Sequence, residues 1–222
     1  DKRGFLLVPG IGEKVQLQDV GSLEGFSALH VGGAASLREL DAPELFRRAK
    51  KRGLITTLDV ENSPALEEPD HLKAALPWVD WFMPSEDEAL RMTGSKDLQV
   101  AVNTLRGWGS RDIIVTRGSK GALVFDFSRG KEAGDDVGEM APAPKVRVVD
   151  ATGAGDCFAA GFLAGLLWGL EVMEAVKFGC ACGAKAVTKV GATDALVSVE
   201  SALELVDDNL RDKVLKKSRS SK

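Results

Sequence analysis

The residues best placed to do chemistry lie in one run, Val148-Val149-Asp150-Ala151-Thr152-Gly153-Ala154-Gly155-Asp156-Cys157-Phe158. A β-branched stretch ends, small residues follow, and an apolar helical pattern begins. Gly153, Ala154 and Gly155 leave their backbone N–H groups uncovered. At a helix N-terminus such donors meet the positive end of the macrodipole, which makes an anion site. A transferring phosphoryl group needs fixed donors more than covalent chemistry, so it suits such a site. Asp156 follows in the first helical turn, where the dipole favours a carboxylate, and a carboxylate there can take the proton of an attacking alcohol. The competing reading makes Asp156 a plain helix cap after a glycine-rich turn.

Three other places carry polar or glycine punctuation at the ends of strand-like runs. Thr116-Arg117-Gly118-Ser119-Lys120-Gly121 sets a threonine and two glycines after a strand, so that backbone can approach a ligand closely; a hairpin turn competes equally. In Met83-Pro84-Ser85-Glu86-Asp87-Glu88, Ser85 and Glu88 have capping-box spacing. Gly32-Gly33 reads as a close-packed turn rather than a phosphate loop. Cys180 and Cys182 are two apart on a helical stretch and point to different faces, so they read as small core residues and not as a metal pair.

These segments need elements to position them, and the chain supplies strands alternating with helices. Strands are expected at Ser27 to Val31, Leu54 to Asp59, Val79 to Met83, Asp112 to Thr116, Ala122 to Phe127 and Lys145 to Val149. Helices are expected at Ala42 to Arg52, Pro64 to Leu76, a short one after Ser85, Leu98 to Trp108, and near 156–169, 171–188 and 198–208. Ser128 to Pro144 reads as a polar surface loop, and 213–222 as a basic, serine-rich tail that frays, leaving 1–212 as one core. Such alternation predicts an α/β fold with a largely parallel sheet covered by helices on both faces. Ligands then lie beyond the C-terminal strand ends.

Composition narrows the function. A net charge of −4 over 222 residues offers no general attraction to nucleic acid or anionic membrane. No apolar run reaches the ~20 residues of a membrane helix. The three cysteines, Cys157, Cys180 and Cys182, all sit in apolar helical surroundings, which points to a reducing, cytoplasmic setting. A dinucleotide-binding domain is disfavoured because no Gly-x-Gly-x-x-Gly follows an early strand.

The string Asp-x-Thr-Gly-Ala-Gly-Asp before an apolar, glycine-bearing helix resembles the C-terminal signature of the PfkB (ribokinase-like) carbohydrate kinases, with Ala151 where Thr is commonest. The resemblance runs from near Arg3 to about Val199. It implies a ribokinase-like three-layer sandwich and transfer of a phosphoryl group from ATP to a sugar hydroxyl. Asp156 would be the base, and Gly153, Ala154 and Gly155 the anion hole. Thr116, Gly118 and Gly121 would form the nucleotide turn; Cys180, Gly183 and Gly191, on the helix and loop after it, would line the adenine pocket. Glu88, with Ser85 where the family has Asn, would help hold Mg2+. Asp150 and Thr152 would bind a monovalent cation such as K+, although the loop after Ala192 lacks the usual Pro. The resemblance further implies that the first strands and a β lid, through which such kinases form homodimers, are missing from this chain. Arg3 and the Asp59–Asn62 segment are candidate contributors to acceptor choice. A kinase-like scaffold in a larger assembly is the alternative that the Ser85 departure and the missing front end favour.

Overall fold

The computed structural model describes residues 14–129, 137–196 and 198–220. Arg3 and the strand-like run around it lie outside the described residues. A sheet of six strands runs in the order β1 (Ala28–Val31), β2 (Ile55–Leu58), β3 (Trp81–Phe82), β4 (Asp112–Thr116), β5 (Ala122–Phe125) and β6 (Glu139–Ala141). β1 to β4 are parallel, while β5 and β6 turn back antiparallel.

Alternation along the strands divides the core into two layers. Phe82, Ile113, Val115 and Phe125 face one side, where they pack with Phe46 of α1 (Ala42–Lys51), Ala89 and Met92 of α3 (Glu86–Thr93) and Leu105 of α4 (Leu98–Gly107). Trp81, Ile114 and Val124 face the other, against Phe158 and Phe162 of α5 (Ala154–Leu167) and Phe178 of α6 (Val172–Ala186). The Trp81 and Phe162 rings meet edge to face, centroids 5.4 Å apart. The sheet is thus the middle of three layers, as expected.

Local signals place most elements within a residue or two. Asp41 caps α1 through Glu44 N, and Ser85 and Glu88 close a capping box on α3. The helix expected over Pro64 to Leu76 is instead broken. A 3-10 turn Pro64–Glu67, the short α2 (Asp70–Lys73) and a second turn Leu76–Trp78 follow one another. Pro69 lacks an N–H and drives Glu68 out of the helical region, to φ −124°.

Two expectations near the site are corrected. Ser128 to Pro144, expected as loop, contains β6, which pairs Ala141 with Ala122; residues 130–136 of that stretch are outside the described residues. Lys145 to Val149 is not a strand: β6 has taken the place beside β5, and Val149 N donates instead to Val187 O at the end of α6 (2.8 Å). The tail expected to fray from Lys213 continues α8 (Asp208–Ser220), after the short α7 (Val199–Leu203). Leu210 and Val214, four apart, are buried; Lys213 pairs with Glu174, and Lys217 donates to Gly169 O beyond the end of α5. Residues 221–222 lie outside the described part.

Helices α5 and α6 touch through glycines. A Cβ added at Gly161 would lie 2.6 Å from Cys182 Sγ, and one at Gly179 2.8 Å from Phe158 O. In an open helix, Gly→Ala gains up to about 1 kcal/mol. Here Gly179→Ala should lose about 1–3 kcal/mol in urea unfolding, because backbone must move apart. Gly107→Ala, where the added Cβ meets nothing within 4 Å, should lose nothing. Equal effects at both positions would refute the close-packing account.

Candidate active site

The C-terminal ends of the parallel strands and the N-terminus of α5 converge. Gly153 starts the helix in the left-handed region, φ 75°, with its α-carbon against the 191–194 loop. A Cβ there would stand 2.5 Å from Ala192 O, so no side chain fits. Asp150 ties the same two loops. Its Oδ1 accepts from Thr152 N (3.0 Å) and Oγ1 (2.8 Å), and its Oδ2 accepts from Gly191 N (3.2 Å). Asp150, Thr152 and Gly191, expected as cation and adenine residues, therefore meet in a clasp that fixes where α5 begins.

Asp156 is exposed in the first turn of α5, and no cation among the described residues pairs with it. Gly155 is exposed beside it, with nothing within 4 Å of its pro-side-chain position, so a ligand can reach that backbone.

Next to this turn lies a cavity of about 350 Å³. Thr116, Gly118, Gly121, Cys180 and Gly183, all expected as nucleotide residues, line it together with Ala154 and Gly155. Its other wall is Ala143 to Val146 with Val148, in the stretch that does not form the expected strand. Sequence reasoning missed that wall; its alternating valines signalled extended backbone but not what it faces. Gly121 must be glycine, at φ 101° and directly over Ala141 O and Ala143 N. Cys180 faces the cavity while Cys182 faces α5, and burial pushes both thiols up to about 12, so they act as neutral apolar groups. Gly153, Asp156, Gly191, Asp150, Thr152, Ser85 and Glu88 do not line the cavity.

Ser85 and Glu88 lie on the neighbouring turn. Glu88 Oε2 accepts from Ser85 N (2.7 Å), and Ser85 Oγ accepts from Glu88 N (3.3 Å). The turn is joined to the turn from Thr116 to Gly121, the loop of the β4–β5 hairpin, by Thr116 N donating to Pro84 O (3.0 Å) and a Ser85–Thr116 bridge. Arg117 reaches back with Nε and Nη2 to both oxygens of Glu86 (3.0 and 2.9 Å) and holds that carboxyl below its usual range.

A cluster not foreseen in this form completes the site. Asp59, at the end of β2, accepts from Gly33 N (2.8 Å), and Glu61 accepts from Ala35 N (3.2 Å) and Ser36 Oγ. His30 Nδ1 meets Thr57 Oγ1 at 2.9 Å, and its Nε2 is 3.7 Å from Asp59. Burial raises the Asp59 carboxyl to about 6; the Gly33 amide opposes this, and the charges of Asp156 and Glu61 add to it. Glu88 is raised by burial, against its Ser85 bonds and with added push from Asp59 and Glu61. His30 is pushed down by burial against the pull of Asp156. The Asp59–Asn62 segment was expected only to bear on acceptor choice, whereas His30 sat unremarked within a strand. Among the described residues no group of three or more His, Cys, Asp or Glu is arranged to hold a metal ion.

Asp59 gives a pH dependence of known sign. Between about pH 4 and 6 the folded protein keeps a proton that the unfolded chain, with a carboxyl near 3.8, has released. Stability therefore falls as pH rises through that window, by up to about 3 kcal/mol for this group. Urea unfolding of Asp59→Asn across the window should show a flatter pH profile than the parent protein. Superimposable profiles would mean that Asp59 titrates as an ordinary exposed carboxyl.

Comparison with known proteins bears on the family and the fold. The family described as pfkB family carbohydrate kinase matches residues 5–198. Cytidine kinase from Thermococcus kodakarensis is 30% identical over 202 residues, covering 81% of this chain and 70% of that protein. Other curated relatives are spanned over about half their length or less, such as 49% of Haemophilus influenzae ribokinase. Among solved structures, Salmonella enterica aminoimidazole riboside kinase, complexed with aminoimidazole riboside and an ATP analog, superposes with a TM-score of 0.75 at 28% identity, over 90% of this chain and 69% of that one. Vibrio cholerae fructokinase with fructose, ADP and calcium gives 0.70 at 27% identity, over 87% and 65%. No helix among the described residues is long and apolar enough to cross a membrane. With a matching family model over residues 5–198 and a three-layer sheet, the chain belongs to the pfkB family of carbohydrate kinases.

Proposed function

We propose that this chain carries the nucleotide site and the base of an ATP-dependent phosphotransferase that moves the γ-phosphate to a hydroxyl of a sugar or sugar-like acceptor. The observation that carries the reading is the placing of Asp156. It is exposed and has no ion-pair partner among the described residues, one residue past open glycine backbone that borders an apolar cavity.

The adenine base fits between the Cys180–Gly183 side of α6 and the 143–148 wall, both largely apolar. From there the phosphates extend over the first turn of α5. Asp156 takes the acceptor's hydroxyl proton as that oxygen bonds to the γ-phosphorus. The bond to the β,γ-bridging oxygen breaks, and ADP leaves with the electron pair. Amides of Gly153, Ala154 and Gly155 bear the charge on the transferring group. The acceptor lies on the β1–β2 side of Asp156, within reach of His30 and Asp59.

Glu88 and Ser85 are the residues that would hold Mg2+, which when bound screens the phosphate charge. The fit rests on a crowd of carboxylates: burial raises Asp59 and Glu88, the charge of Glu61 adds to both, and a divalent cation would relieve that added repulsion. With so few protein ligands assembled, its shell would be completed by phosphate and water. Asp150 and Thr152 are the corresponding candidates for K+, through the oxygens of their clasp. One observation favours a scaffold instead: Ser85 and Glu88 already satisfy each other as a capping box.

ADP release by the full-length protein against a panel of sugars and nucleosides separates the two readings. Asp156→Asn should lower kcat by about 10²–10⁴ while nucleotide affinity, measured by calorimetry, persists. Turnover that survives the substitution removes Asp156 as the base, and a parent protein inactive on every acceptor favours the scaffold.

A further inference from the structure

Two turns must act together if the proposed function holds: the one bearing Thr116, Gly118 and Gly121, and the one bearing Ser85 and Glu88. We propose that the Glu86–Arg117 ion pair is the positioning device that locks them in register, so that divalent cation and nucleotide bind as one coupled unit. This rests on the reading of Ser85 and Glu88 as the metal side of the site.

The need for such a device follows from the backbone. β3 is two residues long and its ladder to β4 ends at Phe82–Ile113, so the Ser85 turn overhangs the sheet, whereas the turn from Thr116 to Gly121 is the loop of the β4–β5 hairpin, paired up to Thr116 and Ala122. Beyond the β3–β4 ladder, Thr116 N to Pro84 O and the Ser85–Thr116 bridge hold only the roots of the turns. The hairpin loop is one 3-10 turn, Gly118–Lys120, opened by Gly118 at φ 54° and followed by Gly121 at φ 101°, so its backbone hydrogen bonds fix its shape but not its distance from the Ser85 turn. Arg117 opens this turn, its N–H closing it onto Gly121 O at 2.7 Å. Its side chain grips Glu86 with two bonds, one to each carboxylate oxygen. A guanidinium fork on a carboxylate fixes orientation as well as distance, which one lysine contact would not. Glu86 is the first residue of α3, directly after Ser85 and two before Glu88. The pair is 21% and 29% exposed, and partly exposed pairs add little to global stability. Geometry, not stability, is what it supplies.

Direct electrostatics and positioning predict opposite outcomes for Arg117→Met and the same sign for Glu86→Gln, so the pair of variants separates them. Calorimetry would give the ADP affinity of the full-length protein with and without Mg2+, the ratio being the coupling. Glu86→Gln removes a negative charge and Arg117→Met leaves one unpaired. If the pair acts only through its charge near the cation, the first variant lowers the coupling and the second raises it. As a positioning device, the pair is lost in both, and both lower the coupling by about 5-fold or more at an unchanged unfolding midpoint. Opposite signs, or parent-like coupling in both variants, overturn the inference and leave the metal reading standing. An Arg117→Met loss equal with and without Mg2+ makes Arg117 a phosphate ligand and also overturns it. Absence of any coupling in the parent protein sinks the metal reading and this inference with it.

Discussion

Helix α5 has to begin at one point in space, and the whole site depends on that constraint. Gly153 takes a backbone conformation that disfavours other residues and presses on Ala192, where no side chain would fit. Asp150 fastens both loops from the side. Behind them, α5 lies on α6 at glycine distance along Gly161, Gly179 and Gly183. A helix fixed at its head and along its length presents its first turn, and Asp156 with it, as a rigid edge. Preorganisation of this kind is what phosphoryl transfer asks of a protein.

The charge around that edge is uneven. On one side is an apolar cavity with no acidic residue among the described residues that line it; on the other are Asp59, Glu61 and Glu88. Asp156 stands between, its charge felt at both His30 and Asp59. Under the proposed function, that contrast is what would orient a nucleotide, its apolar base toward the cavity and its cation-bearing phosphates toward the carboxylates.

What could be read from the residues alone follows the range of the interaction concerned. The α5 entry, the box closed by Ser85 and Glu88, and the β-branched strand Asp112 to Thr116 are set by neighbours within four positions, and they stand where expected. Lys145 to Val149 has strand composition, yet a strand requires a partner, and β6 holds that place by pairings many residues away. The buried pair Leu210 and Val214 had helical spacing, but the surrounding lysines and serines masked it as a tail. His30 and Asp59 lie on different strands and meet only through the β1–β2 register, which no short pattern encodes.

Gly183 has two neighbours of different kinds. It lines the cavity, and a Cβ there would come within 2.9 Å of Ala154 O on the opposing helix. One methyl group would therefore crowd the cavity and prise the helix pair apart in the same stroke. Evolution cannot reshape this cavity from the α6 side at that position without disturbing the scaffold. The 143–148 wall, by contrast, lies outside the sheet and borders the cavity without belonging to the helix pair.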